Sequence, residues 1–217
     1  MPTPRQGYHL KDGRRVPGTT TVINRFKDSG GLIYWAWSEG KAGRDFRETS
    51  KTAADAGTLA HAMVEAHIKK LPDPALDGIP DEIKIKATSA FLAYMEWEAQ
   101  SKLEILETEI QLVSEKYEFG GTPDAIGYLN GKLSVVDWKS SNAVYADYLI
   151  QMAAYKQLWL ENRPDYPVHG GFHLCRFSKE HGDFAHHYFP NLDEAWEQFV
   201  LFRRAYDIDK QLKKRAA

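Results

Sequence analysis

The dipeptide Asn130-Gly131 lies between two segments rich in strand-forming residues, 125–129 and 133–136, and it restricts the possible folds of this sequence strongly. Asn-Gly strongly favours a two-residue turn of type I′, because these two residues adopt positive φ at little cost. The sequence therefore predicts a β-hairpin in which Leu129 faces Lys132 and Ile126 faces Val135.

This register brings two aspartates together, because it places Asp124 opposite Asp137. The Cα atoms of such a non-hydrogen-bonded pair approach to about 4.5 Å. Carboxylates about 5 Å apart repel by roughly 3 kcal/mol at an effective dielectric near 20. Side chains alternate along a strand, so Lys139 shares the face of Asp137 while Trp138 lies on the other face. One ammonium cannot neutralise two carboxylates, so the pattern predicts a divalent cation, Mg²⁺ or Mn²⁺, which prefer oxygen ligands.

The triplet Asp137-Trp138-Lys139 carries little information by itself, because 27% of the residues are charged. The segment 80–84 contains a similar pattern, and we interpret it as the start of a helix. The hairpin register distinguishes Asp137-Trp138-Lys139 from that segment. It is derived from Asn130-Gly131 alone, yet it places Asp124, Asp137 and Lys139 on one face. A bulge near Gly120-Gly121 or Pro123 would break that register.

Composition limits the class of protein. The 217 residues are 43% hydrophobic, enough for one domain with a full core. The net charge of −2 gives no overall basic field of the kind that marks many nucleic-acid-binding proteins. The single cysteine, Cys175, excludes a disulfide framework. We find no apolar run of membrane-spanning length and no signal-peptide region, so we expect a soluble cytoplasmic protein.

Periodicity and turn residues predict an α/β fold with a central mixed β-sheet flanked by helices, preceded by an N-terminal hairpin and helices. The predicted elements are a hairpin over 8–16, helices over 19–26, 32–40, 51–71, 81–101, 143–162 and from 191, and strands over 104–113, 168–177 and 184–189. We divide one domain, 1–217, into an N-terminal hairpin and helical extension (1–50), a core (51–190) and a C-terminal helix (191–217).

A family resemblance rests on the pairs and triplets described above. Pro123-Asp124, then Asp137-Trp138-Lys139, then Gln151 and Tyr155 on the following helix resemble the PD-(D/E)xK nuclease superfamily. More narrowly they resemble its RecB-like branch, which includes Cas4 proteins, the mitochondrial genome maintenance exonuclease and many phage exonucleases. The motifs are short, but they occur in the right order across roughly residues 15 to 190. The chain departs from Cas4 proteins in lacking the iron–sulfur cysteines.

The resemblance implies a restriction-endonuclease-like nuclease core and assigns roles to residues. The branch carries a histidine in a Gly-x-x-x-His context, matched by Gly57 to His61. His61, Asp124 and Asp137 would then be metal ligands, with the backbone carbonyl of Trp138 as a further ligand. Lys139 would position the attacking water or stabilise the charge that develops on phosphorus.

Other residues take supporting roles on the same resemblance. Gln151 and Tyr155 would lie beside the active site, orienting the lysine or contacting the substrate backbone. Glu65, one turn after His61, is either a supporting contact of that histidine or a solvated surface residue. Glu109 is either a glutamate near the metal or a polar edge residue. Trp35 and Trp37 are candidates for base stacking, with core packing as the alternative. All six supporting residues are read from the sequence.

Three functional hypotheses follow. The first is a metal-dependent deoxyribonuclease, an exonuclease acting on DNA ends or single strands in recombination, repair or phage replication. The second is a site-specific endonuclease on the same core, for which we find no recognition element. The third is a catalytically silent nucleic-acid-binding module, against which the intact Asp124, Asp137 and Lys139 argue. The expected partner is DNA, single-stranded or at duplex ends, and not a membrane; no oligomeric state follows from the sequence.

Overall fold

The computed structural model of the chain describes residues 7–27, 30–47, 55–178 and 181–216. The strands in these residues are β1 (Tyr8–His9), β2 (Arg15–Val16), β3 (Glu104–Thr108), β4 (Leu112–Ser114), β5 (Phe119–Gly121), β6 (Ala125–Leu129), β7 (Lys132–Ser140), β8 (Phe172–Phe177) and β9 (Phe184–Phe189). The helices are α1 (Thr19–Arg25), α2 (Gly30–Lys41), α3 (Asp55–Lys69), α4 (Asp81–Ser101), α5 (Ala146–Asn162) and α6 (Asp193–Ala216).

Five strands form the central sheet, in the order β3-β6-β7-β8-β9. Strands β7 and β8 are parallel, and the other neighbours are antiparallel. Helix α5 connects the two parallel strands, as a parallel pair requires a crossover connection. Strands β1 and β2 form a small N-terminal hairpin, and β4 pairs with β5 separately. The predicted mixed sheet, flanking helices and N-terminal hairpin are confirmed.

The register predicted around Asn130-Gly131 is also confirmed. Leu129 pairs with Lys132, and Ile126 pairs with Val135. Asn130 has a φ of 48° and Gly131 a φ of 76°, as a type I′ turn requires at both central residues.

Helices cover both faces of the sheet. Helices α3 and α4 pack on one face, where Val136 and Trp138 of β7 are buried. Helices α1, α5 and α6 pack on the other face, which buries Ile126 and Val135. Strand alternation places Asp137 on the face of Val135, so the acidic group belongs to the face that α5 covers.

The structure corrects the strand predicted over 104–113. Strand β3 ends at Thr108, and Glu109 has a φ of 50°, a left-handed conformation that turns the chain out of the sheet. The following residues, Leu112–Ser114, pair with β5 instead of continuing in the central sheet. The pairing of β6 with β7 is regular from Ala125 to Leu129, and a register shift occurs between β3 and β6, at Ile105 and Glu107.

One predicted helix begins later in the chain than expected, and another is described only in part. The helix predicted from Ala143 starts at Ala146, because the Ser141 hydroxyl donates to the Ala143 carbonyl rather than capping a helix. The helix predicted over 51–71 is described over Asp55–Lys69, and 51–54 lie outside the described residues. Within the described part of the chain, no helix combines the length and apolar character needed to cross a membrane.

Candidate active site

A cavity of about 280 Å³ collects most of the residues that the sequence singled out. Six of them line it: His61, Asp124, Trp138, Lys139, Gln151 and Tyr155. Asp137 does not line the cavity, because its side chain is completely buried, but it is in ion-pair contact with Lys139. The structure therefore brings together residues from α3, from α5, from β7 and from the position just before β6.

The two aspartates and the lysine form the charged centre of this cavity. Asp124 is almost fully buried, and its Oδ2 accepts a 3.0 Å hydrogen bond from the backbone N–H of Trp138. The Lys139 Nζ lies 2.6 Å from Asp137 Oδ2 and 4.0 Å from Asp124 Oδ2. Both carboxylates and the ammonium thus converge as the hairpin register requires.

Burial changes the protonation of this centre. Burial raises the pKa of Asp137 to about 7; the Lys139 ammonium opposes this increase and the Asp124 carboxylate adds to it. Burial alone would lower the pKa of Lys139, but Asp137 and Asp124 together raise it, so the ammonium stays charged. Within the described residues, the Lys139 ammonium is therefore the single cation beside two carboxylates. When both carboxylates are ionised, the centre carries a net negative charge.

The donor set of the cavity fits a divalent cation. Asp137 Oδ1 has no hydrogen-bond partner among the residues that the structure describes, and Oδ2 has the Lys139 ammonium 2.6 Å away. An unbonded buried carboxylate is costly unless a cation compensates it. Among the described residues no three His, Cys, Asp or Glu side chains already surround a common metal position. Lys139 Nζ lies within reach of both carboxylates and supplies part of that charge.

His61 lies on α3 and reaches the cavity from the opposite helical layer. Burial lowers the pKa of its imidazole; Asp124 opposes this shift and Lys139 adds to it. The ring is therefore neutral near pH 7, which is the form that binds metals.

Helix α5 contributes two further polar groups. Gln151 Nε2 donates a 2.6 Å hydrogen bond to the Tyr155 hydroxyl oxygen. Burial, together with Asp124 and Asp137, raises the pKa of Tyr155 well above its ordinary value, so the phenol keeps its proton. The Lys139 Nζ also lies 5.5 Å from the ring centre of Tyr148. These contacts fix Gln151 and hold the lysine between carboxylates and an aromatic face.

Sequence reasoning missed four residues that line the cavity: Tyr8, Thr20, Thr122 and Ser140. Thr122 carried a usable signal, because it precedes Asp124 by two residues. Tyr8 carried none, since it reaches the cavity through a contact between distant segments, a 2.9 Å hydrogen bond between its hydroxyl group and that of Thr122.

The structure places Glu65 and Glu109 outside the cavity lining. Both carboxylates form ion pairs with Lys69 on α3. The Glu109 backbone N–H donates to the Asp124 carbonyl, so this residue supports the backbone beside the aspartate. A small pocket bordered by His61, Glu65 and Glu109 lies next to the 280 Å³ cavity, which is called the active cavity below.

Trp35 and Trp37 also lie outside the cavity lining, on α2. The alternative of core packing is wrong for Trp37, because this side chain is 56% exposed. Its ring contacts Tyr34, and the Lys41 ammonium lies 5.0 Å from the ring centre. Trp35 is half-buried, with its ring edge-on to Phe46.

Comparison with known proteins identifies the family. The model of the PD-(D/E)XK nuclease superfamily matches residues 32–209, well over half of the chain. The chain belongs to the PD-(D/E)XK nuclease superfamily, and the resemblance inferred from its motifs is confirmed at this level. No curated protein matches the sequence at a significant level.

Two solved structures illustrate the distance to known relatives. An Eubacterium rectale protein, provisionally named an exonuclease, is 15% identical, with a TM-score of 0.48 over 67% of this chain and 64% of that chain. The alkaline exonuclease LHK-Exo of Laribacter hongkongensis, solved with dAMP, is 10% identical, with a TM-score of 0.40 over 76% of this chain and 90% of that chain. The family assignment rests on the sequence match and not on these structures.

Proposed function

We propose that this chain is a metal-dependent deoxyribonuclease of the RecB-like branch, and that it acts as an exonuclease. The observation that carries the proposal is the convergence of the Asp124 and Asp137 carboxylates on the Lys139 ammonium, beside a cavity that Asp124, Lys139 and His61 line. The superfamily assignment supplies the hydrolytic nuclease activity; the DNA substrate and the exonuclease mode are our inference.

Asp124, Asp137 and His61, with the Trp138 carbonyl, would hold one or two divalent cations, Mg²⁺ or Mn²⁺. Such a cation supplies Lewis acidity toward a phosphate oxygen and lowers the pKa of water. When both buried carboxylates are ionised, the single Lys139 ammonium leaves a net negative charge, which a divalent cation would offset. The neutral imidazole of His61 adds a ligand without adding charge.

The remaining groups act on the substrate. The Lys139 ammonium would orient the attacking water and stabilise the negative charge that grows on the phosphate oxygens. The Tyr155 phenol, protonated and hydrogen-bonded by Gln151, can donate to a phosphate oxygen or hold Lys139 in position. Hydrolysis of the phosphodiester then proceeds without a covalent enzyme intermediate.

The depth of the centre favours single strands and ends over intact duplex. Asp124 is only 5% exposed and Asp137 is not exposed at all, and the cavity walls include Tyr8 and Tyr155. A single strand or a frayed end is narrower and more flexible than continuous duplex, so its phosphate can enter such a recess more readily. This difference supports the exonuclease over the site-specific endonuclease.

The test is degradation of end-labelled linear single-stranded and duplex DNA beside a covalently closed circle, with Mg²⁺, with Mn²⁺ and with chelator. We expect metal-dependent loss of the linear substrates alone, and no loss with Asp137→Asn. Cutting of the circle would favour the endonuclease instead. Binding without cutting would favour the silent module.

Stacking of a base on Trp37 is a further part of the proposal, supported by the exposure of this ring and by Lys41 beside it. Each stacked base contributes about 1–3 kcal/mol to single-strand binding. Trp37→Leu should therefore weaken binding of single-stranded DNA at least about fivefold, with Trp37→Phe intermediate. Fluorescence anisotropy in chelator measures this, and equal affinities for all three proteins would remove Trp37 from the interface.

A further inference from the structure

A second cavity, of about 570 Å³, adjoins the active cavity. Tyr8 lines both, so the two spaces share a wall. The Tyr8 ring packs so closely on Gly120 that a side chain there has no room, and its hydroxyl group is hydrogen-bonded to Thr122, two residues before Asp124. Tyr8 therefore lies between the second cavity, called the groove below, and the cavity that contains the carboxylates.

The groove is positively charged although the whole chain carries −2. Four cationic side chains line it, from the β1–β2 hairpin and α6: Arg14, Arg15, Arg203 and Lys210. Two acidic side chains line it as well: Glu118 and Asp207. The groove thus concentrates positive charge on one surface of an otherwise weakly acidic protein.

The acidic residues are already paired with two of the cations. Arg14 contacts Glu118 at 2.9 Å, and Arg203 contacts Asp207 at 2.6 Å. Arg15 and Lys210 form no ion pair with any acidic side chain in the described part of the chain, and both are exposed. These two groups supply the uncompensated charge of the groove.

One wall of the groove combines a buried arginine with a tyrosine ring. Arg203 is 8% exposed, its Nε donates a 2.9 Å hydrogen bond to the Glu118 carbonyl, and its guanidinium lies 6.0 Å from the ring centre of Tyr206. Such an arrangement holds a planar cation and a ring in fixed positions. Cationic grooves with aromatic walls are the common design for binding single-stranded nucleic acid.

We propose that the groove binds the phosphodiester backbone of a single DNA strand that leads into the active cavity, with Arg15 and Lys210 neutralising phosphates. The proposal rests on the proposed function for the identity of the cavity beside it. Both residues lie outside the stretch, 32–209, that the superfamily model matches, so the groove adds to the shared core. It also assigns a role to the N-terminal hairpin.

The experiment measures binding of a labelled single-stranded oligonucleotide by fluorescence anisotropy, in chelator and in the Asp137→Asn background, so that no cleavage occurs. The test variant is Arg15→Ala with Lys210→Ala. The control is Arg204→Ala with Lys214→Ala, which removes the same two kinds of charge from exposed positions on α6 outside the groove.

We expect the test variant to bind about tenfold more weakly and the control to bind like the parent. Each lost phosphate contact should lower the salt dependence of single-strand binding by about 0.7 in log K against log salt. The charge-conserving pair Arg15→Lys with Lys210→Arg should restore binding, which a misfolded hairpin would not allow.

Three results would overturn the proposal: equal binding by the test and control variants, failure of the charge-conserving pair to restore binding, or tighter binding of duplex than of single strand. Because binding is measured without turnover, these results are separate from failure of the proposed function. That failure would appear as absence of metal-dependent cleavage by the wild-type protein.

Discussion

Asp137 has a carboxylate that is completely buried and has Lys139 as its nearest cation. Three species can therefore compensate it: a proton, the lysine ammonium or a divalent cation. Burial stabilises the protonated form of Asp137, and the Lys139 ammonium stabilises the ionised form. The net result is a pKa of Asp137 raised to about 7. The chemistry of the cavity depends on which of these species is present at a given pH.

The raised pKa has a consequence for stability in the absence of metal. A carboxyl whose pKa rises on folding contributes stability below its ordinary pKa of 3.8 and loses it as the pH rises through the folded value near 7. In chelator, wild-type protein should therefore lose stability relative to Asp137→Asn as the pH rises from about 4 to about 7. Urea unfolding of both proteins across this range measures the difference. Parallel curves would contradict the raised pKa.

Substitution of Lys139 separates chemistry from metal binding. Lys139→Ala should lower the cleavage rate by at least about 10²-fold, because it removes the group that stabilises charge on the phosphate. The same variant should still bind Mn²⁺, since both carboxylates remain and their need for a cation grows. Lys132→Ala, an exposed lysine at the other end of β7, is the control. Wild-type turnover by Lys139→Ala would exclude the proposed mechanism.

Among the elements, β5 shows why glycine is required beside the cavity. A Cβ on Gly121 would lie 2.7 Å from Leu158 Cδ1 and Thr19 Oγ1 and 2.8 Å from Tyr155 Cε1. The strand can therefore approach α5 and α1 only without a side chain at this position. The position of Tyr155 in the cavity depends on this approach.

Gly121→Ala should consequently lower the free energy of unfolding by about 1–3 kcal/mol, the usual cost of overpacking, and should impair cleavage through displacement of Tyr155. Gly40→Ala on α2, where no atom lies within 4 Å of the added Cβ, should instead raise stability by about 0.5–1 kcal/mol. Chemical denaturation and cleavage assays of both variants test this. A neutral Gly121→Ala would show that α5 can move away from β5 freely.

Elements determined by local chemistry were predictable from the sequence. Asn130-Gly131 fixed the hairpin, because both residues tolerate positive φ, and the hairpin then fixed the relation of Asp124 to Asp137. The break after Thr108 was not predictable in this way, since it depends on a glutamate in the left-handed conformation. Alternating polar and apolar residues continue through Glu109, so the pattern gave no sign of the turn.

At the scale of the whole molecule, the cavity is assembled from segments far apart in sequence. Tyr8 and Thr122 are 114 positions apart, and their contact follows from packing of the N-terminal hairpin against β5. His61 was located in advance only because of the family resemblance, since a lone helical histidine carries no such signal. The positive groove was not predictable from the sequence either, because Arg15 and Lys210 line the same cavity only in the folded chain.

Binding of a divalent cation by Asp124 and Asp137 underlies the proposed hydrolysis, and calorimetric titration with Mn²⁺ measures that binding. Wild-type protein should bind Mn²⁺, while Asp124→Asn and Asp137→Asn should each bind at least about tenfold more weakly, as expected for loss of a ligand. Asp165→Asn, at an exposed carboxylate, should bind like the wild type. Unchanged Mn²⁺ affinity in Asp137→Asn would contradict the proposed role of Asp137.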